Sequence, residues 1–315
     1  MFSQERNFTD WQLTGFGAAP EFLFETVGST HKLMKSMAAA GEIAPGTLFV
    51  ADSQSDGHGR HERTWDSPAG KNLYFNILIP LDGIPASNFA QITQVAALTF
   101  AETFNNVREC AKDSQACPAN RDCAQSTIES SAQSANRDCA ESENANSPKI
   151  TVKWPNDILY GKSKFCGILA EVVYTRTQNA PRPALSMGVG INVNSEPSDY
   201  AHLNRAVTTL KAIFGHSINR EKLLQALIGN LERAIGQFKA FGIRPWIEAW
   251  KRMDQFISAR GTIIVNNHCT DQNRDTGEGS IKKTGRIINM NNDGSLLFEC
   301  DDGSVETVIS ADLEI

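Results

Sequence analysis

Two arginines, Arg60 and Arg63, follow a pair of glycines (Gly57 and Gly59) and precede Trp65 in the stretch ADSQSDGHGRHERTWDSPAG, Ala51 to Gly70. Glycine lets a backbone approach a ligand closely, and the guanidinium fork matches phosphate or carboxylate. The stretch therefore reads either as an anion-handling loop or as an exposed hairpin connection whose charges keep it soluble. Its spacing fits neither a P-loop nor a dinucleotide fingerprint. Three later stretches concentrate further reactive or close-packing residues: KWPND (153–157), GKSKFCGILAE (161–171) and GVGINVN (188–194).

These residues need elements to hold them. The stretch lies between a β-rich run at Thr47–Ala51 and an alternating one at Asn72–Ile79, closed by Pro80. Before it, Ser29 or Thr30 caps a helix whose apolar face is Leu33, Met34, Met37 and Ala38, and Gly41 stops that helix. A second helix is expected from Ser87 to about Val107, with Phe89, Ile92, Val95, Ala96, Phe100 and Phe104 on one stripe. Order returns at Lys149 with a strand, a polar turn and a hairpin through Gly161-Lys162-Ser163, then a strand from Ala184 to Val193. Asn219 or Ser217 caps a long amphipathic helix. A shorter helix from about Pro245 carries Trp246 and Trp250 as core residues. From about Ala259, short strands with turns at Asn291–Gly294 and Asp301–Gly303 read as a small β-barrel.

Residues 109–148 interrupt this pattern. Ile128 is their only branched aliphatic, and ANRDCAQS at 119–126 nearly recurs as ANRDCAES at 135–142. Such a segment buries too little apolar surface to offset its ordering entropy, so it is expected to be a low-complexity, disordered surface insertion. Four of the seven cysteines (Cys110, Cys117, Cys123, Cys139) lie in it, at spacings that fit no common zinc finger. A net charge of -6 argues against nucleic acid as a partner. No apolar run approaches the roughly 18 residues of a membrane span, and the charged start MFSQERNFTDW lacks a secretory apolar region. Unpaired thiols and these absences fit the cytoplasm.

Taken in order, ADSQ-x-x-G-x-GR-x-x-R-x-W-x-SP-x-G, KWPND, K-F-C-GILAE and G-V-GINVN resemble the biotin–protein ligases. The resemblance implies an α+β fold. Its catalytic domain is like a class II aminoacyl-tRNA synthetase, a mixed sheet flanked by helices, followed by a C-terminal SH3-like β-barrel. The expected divisions are an extension at 1–24, a catalytic domain at 25–257 and the barrel at 258–315. The short extension leaves no room for a DNA-binding domain, so the ligase-only form is expected, as monomer or homodimer. The implied reaction joins biotin and ATP to biotinyl-5′-AMP, with Mg²⁺, and transfers biotin to a lysine of the biotin carboxyl carrier domain of a carboxylase. Lipoate–protein ligase, or a non-catalytic biotin-sensing or carrier-binding protein, are the alternatives.

Carried onto this sequence, the resemblance implies that Lys164 meets both the biotin carboxylate and the α-phosphate. Ser29, Thr30 and Gln54 would bond the ureido ring, with Gly57, His58, Arg60, Gly167, Gly188 and Gly190 completing the biotin site. Trp65 would stack on adenine, Asn156 and Asn192 would bond its edge, and Arg60 and Arg63 would close over the phosphates. Asp157 would hold magnesium or orient the incoming lysine. Where the bacterial family usually reads GRGRRGR, this chain reads GHGRHER. The histidine and Glu62 are expected to hold the adenylate less firmly, more so at higher pH.

Overall fold

The computed structural model describes residues 20–60, 63–114, 149–176, 180–203, 205–266, 280–309 and 311–315. Glu62 and residues 115–148 of the expected insertion lie outside the described residues.

The elements run β1 (Glu21–Val27), α1 (Thr30–Ala40), β2 (Leu48–Gln54), β3 (Leu73–Pro80), α2 (Phe89–Ser114), β4 (Ile150–Lys153), β5 (Asp157–Tyr160), β6 (Ser163–Thr175) and β7 (Arg182–Ile191). Then follow α3 (Leu210–Phe214), α4 (Arg220–Phe241), α5 (Arg244–Met253), β8 (Arg260–Asn266), β9 (Ser280–Met290), β10 (Leu296–Cys300), β11 (Val305–Val308) and β12 (Asp312–Glu314). The first seven strands form one mixed sheet in the order β1-β2-β3-β7-β6-β5-β4, with β1 and β2 parallel and the other neighbours antiparallel. The last five form a separate antiparallel sheet in the order β11-β10-β9-β8-β12.

The period-two alternation of β2 and β3 assigns the layers. Leu48, Val50, Phe75, Ile77 and Ile79 enter the large core shared with α2 and α4, while Phe49 and Leu78 pack with Met34 and Ala38 of α1 on the other face. Trp246 and Trp250 are buried in the large core. Ser29 caps α1, its hydroxyl accepting from the Lys32 amide, and Gly41 ends the helix in the left-handed region. Asn219 caps α4 in the same way, accepting from the Lys222 amide.

Three features differ from the sequence reading. β1 pairs in parallel with β2 and crosses the expected boundary at residues 24 and 25. Ser87 sits inside a short 3-10 turn, Ala86–Asn88, where its hydroxyl bonds the Asn88 side chain. The helix after it runs on to Ser114, into the expected insertion. Residues 108–114, RECAKDS, contain neither Pro nor Gly, so low apolar content did not end the helix.

The two sheets are joined at α2 and the β4–β5 turn. The buried Trp154 indole donates to the Gly294 carbonyl, which also accepts from Gln94 of α2. This docking brings β12 to the rim of the cavity described next.

Candidate active site

One cavity of about 610 Å³ collects the start of α1, the 54–65 stretch, the β4–β5 turn, the facing glycines of β6 and β7, and β12. Thirteen of the expected site residues line it: Ser29, Thr30, Gln54, His58, Arg60, Arg63, Trp65, Asn156, Asp157, Lys164, Gly167, Gly188 and Gly190. Two do not. Gly57 lies beneath the loop, where a Cβ would stand 2.4 Å from the Trp65 carbonyl oxygen. Its service is to the loop's own fold and not to the cavity. Asn192 faces a small neighbouring recess shared with Trp65, Lys164 and Arg205. The Asn192 amide donates to Thr208 and accepts from Tyr200.

The closed end of the cavity is held by neutral hydrogen bonds. Gln54 Oε1 accepts from the Thr30 amide at 2.9 Å and the Thr30 hydroxyl at 3.0 Å, and its Nε2 donates to Ser67. The amide orientation of Gln54 is thus fixed from both sides. Beneath it, His31 lies buried with Nδ1 3.0 Å from the Asn76 amide and Nε2 3.5 Å from Glu171. Glu171 also pairs with Lys35. Hydrogen bonding from His31 first, and from Lys35, draws the Glu171 carboxyl down to about 2.

The floor is glycine for a steric reason. Gly167 and Gly190 face each other across β6 and β7, and Trp65 lies on them. A Cβ at 190 would stand 2.4 Å from the indole Cε2, and one at 167 only 2.9 Å from Lys164 Nζ. The Lys164 ammonium sits 5.3 Å from the Trp65 ring centroid. The indole N–H is buried and has no hydrogen-bond partner among the described residues.

Residues 57–60 run antiparallel to residues 63–65. Trp65 N–H donates to the Gly57 carbonyl, Gly59 N–H to the Arg63 carbonyl, and His58 bridges Thr64. These two segments carry their arginines to β12. Arg63 bonds Asp312 at 2.8 Å, and Arg60 lies 3.5 Å from Asp312 and donates to the Ala311 carbonyl. His58 Nδ1 lies 2.6 Å from the Asp56 carbonyl oxygen.

The polar wall opposite is built by the β4–β5 turn and β6. Lys164 donates to Asp157 at 2.6 Å, both side chains about three-quarters buried. Buried Asn156 donates to the Ile168 carbonyl at 2.6 Å, so one of its two amide hydrogens locks this turn onto β6. Lys164, Arg60 and Arg63 are therefore each opposed by a carboxylate, and the charged half is set up for anions that displace carboxylates.

The sequence reading missed Asp312, Ser67, His31 and Lys153. Ser67 and Lys153 lie inside quoted motifs, His31 directly follows Ser29-Thr30, and nothing local marks Asp312.

Residues 23–192 match the Biotin/lipoate A/B protein ligase family. The chain belongs to this family. Among its relatives, the bifunctional ligase/repressor BirA of Bacillus subtilis is 25% identical over 293 residues, covering 92% of this chain and 72% of that protein. The biotin–[acetyl-CoA-carboxylase] ligase of Mycobacterium tuberculosis is 25% identical over 237 residues, 75% of this chain and 71% of that one. Among solved structures, the biotin protein ligase from Aquifex aeolicus in complex with biotin and ATP aligns with a TM-score of 0.64. At 22% identity it covers 93% of this chain and 97% of that one, and the two share a fold. The mixed sheet flanked by helices and the second, antiparallel sheet are that fold.

Proposed function

We propose that this protein activates biotin with ATP and transfers it to a lysine of the biotin carboxyl carrier domain of a carboxylase. One observation carries the reading. A slot closed by neutral hydrogen-bonding groups opens directly onto Lys164, with two arginines at the rim. That is the arrangement needed to bring a carboxylate tethered to a polar, uncharged head against a nucleotide phosphate. In the first step a carboxylate oxygen attacks the α-phosphorus of ATP. The bond from that phosphorus to the oxygen bridging to the β-phosphate breaks, and pyrophosphate leaves with the electron pair. In the second step the carrier lysine's amine attacks the acyl carbon, AMP leaves, and the amine gives up a proton.

Both steps need residues of this chain. Lys164 exchanges Asp157 for the converging anions. A unit charge about 4 Å away contributes roughly 4 kcal/mol at an effective dielectric near 20. Felt only in the transition state, that is about three powers of ten in rate. Asp157, once released, holds the incoming lysine. Ser29, Thr30 and Gln54 bond the ureido head. Trp65 covers the adenylate, and Arg60 and Arg63 close over its phosphate and exclude water. Among the described residues no three His, Cys, Asp or Glu side chains converge on a metal position. Asp157, already engaged by Lys164, does not make a magnesium cage by itself. Magnesium is instead proposed to enter with the nucleotide, and no step above runs through it.

The catalytic unit is proposed to end near residue 257, with the C-terminal sheet lending Asp312 to the rim. Among the described residues no helix is long and apolar enough to cross a membrane, and a carboxylase carrier as acceptor implies a cytoplasmic enzyme. Lipoate activation is the second reading, because the matched family includes lipoate ligases. Incubating the protein with ATP, magnesium, labelled biotin or lipoate, and an acceptor carrier domain separates the readings. Label on the acceptor from biotin alone is the expected outcome. Label from lipoate, or binding of biotin without transfer, would overturn it.

A further inference from the structure

Of the lysines and arginines that line the cavity, Lys162 and Arg205 are exposed and Lys153 is half-buried. Lys164 is held by Asp157 and Arg63 by Asp312, and Arg60 shares Asp312. Among the described residues no carboxylate lies within ion-pair distance of the Lys153 ammonium. It sits instead 5.6 Å from the centroid of the Phe256 ring, a contact worth roughly 0.5–1 kcal/mol. The residue is half-buried at the end of β4 and lines the cavity. The charged groups acting on it are Asp157, Lys164, Asp312 and Arg63, which belong to three separate walls of the same cleft. Burial outweighs these fields and holds its ammonium below the ordinary lysine range, as expected of a cation short of a counter-charge.

We propose that Lys153 binds the β- and γ-phosphates of the nucleotide and the pyrophosphate that leaves. The inference rests on the reading of this cleft as an adenylate-forming site. When the bond from the α-phosphorus to its bridging oxygen breaks, negative charge gathers on pyrophosphate. Lys164 is committed at that moment to the carboxylate and the α-phosphate. A second cation must take the leaving group, and Lys153 lies in the fields of both Lys164 and the Arg63–Asp312 pair. The Phe256 ring faces its ammonium without neutralising it, so the charge is held ready for an anion.

Two variants test this: Lys153→Met, which removes the charge at similar length, and Lys153→Arg, which keeps it. Calorimetric titration with inorganic pyrophosphate, AMP and biotin is run on each and on the wild type. Lys153→Met should weaken pyrophosphate binding by at least about tenfold and leave AMP and biotin binding within about twofold. Lys153→Arg should recover most of the pyrophosphate affinity. Unchanged pyrophosphate affinity in Lys153→Met would overturn the proposal, as would an equal loss for all three ligands. A wild type that binds pyrophosphate through Lys153 but shows no biotin-dependent turnover would overturn the parent reading and the leaving-group role with it, while the pyrophosphate site itself would stand.

Discussion

The two ends of the cavity are built on different physics. At the closed end Ser29, Thr30, Gln54 and Ser67 are held by neutral hydrogen bonds between groups of fixed geometry. At the open end Lys164, Arg60 and Arg63 are held by ion pairs to Asp157 and Asp312. Neutral bonds specify shape and change little with conditions. Ion pairs are exchangeable, because a phosphate can replace a carboxylate at comparable strength. On the proposed reading, the closed end fixes which molecule is bound and the open end changes partner as the reaction proceeds.

The largest way to break this division is Lys164→Ala. It should lower the rate of adenylate formation by about three powers of ten, with biotin affinity falling far less, as separated by single-turnover kinetics and calorimetry. Gln54→Ala attacks the other end. Losing partners for Thr30 and Ser67 should raise the KM for biotin about 10- to 100-fold, at the usual 1–3 kcal/mol for unmade buried hydrogen bonds, with the KM for ATP unchanged. If both constants moved together, the two ends would not be separable.

A smaller effect is expected at His58, whose ring lines the charged half beside Asp56. Leakage of adenylate without acceptor should be a few-fold lower in His58→Arg, which places a permanent guanidinium charge in the charged half. Equal leakage in both proteins would remove His58 from the lid.

The smallest effect sharpens the account of the neutral end from outside. Glu171, drawn down to about 2 by His31 and Lys35, contributes stability that is present above the ordinary carboxylate range. It is lost as pH falls through about 4.5 toward 2. Solvent screening at this half-exposed carboxylate limits the gain to about 1 kcal/mol. Denaturant unfolding should therefore show wild type more stable than Glu171→Gln near pH 6, with the gap closing toward pH 2.

Much of the site was legible because its residues cluster in short motifs at strand ends. Gly167 and Gly190 face each other only because β6 and β7 pair in that register, and both already stood in quoted motifs. Asp312 was not legible. A lone aspartate in a three-residue strand has no periodicity to mark it, and it meets Arg60 and Arg63 across some 250 positions of chain. β1 was missed for a related reason, since its parallel partner lies across α1 and no hairpin turn announces it. Gly57 and Asn192 stood in the right motifs but turn away from the cavity, one under the loop and one toward Tyr200. Motif membership gives neighbourhood, while the direction of a side chain comes from the packing around it.

The central claim is that Lys164, at the junction of the two ends, joins a biotin carboxylate to the α-phosphate of ATP. Isotope exchange between pyrophosphate and ATP measures that step alone. The account predicts exchange that requires biotin, is not supported by lipoate, and falls by about three powers of ten in Lys164→Ala. Exchange driven by lipoate, or retained at the wild-type rate in Lys164→Ala, would contradict it.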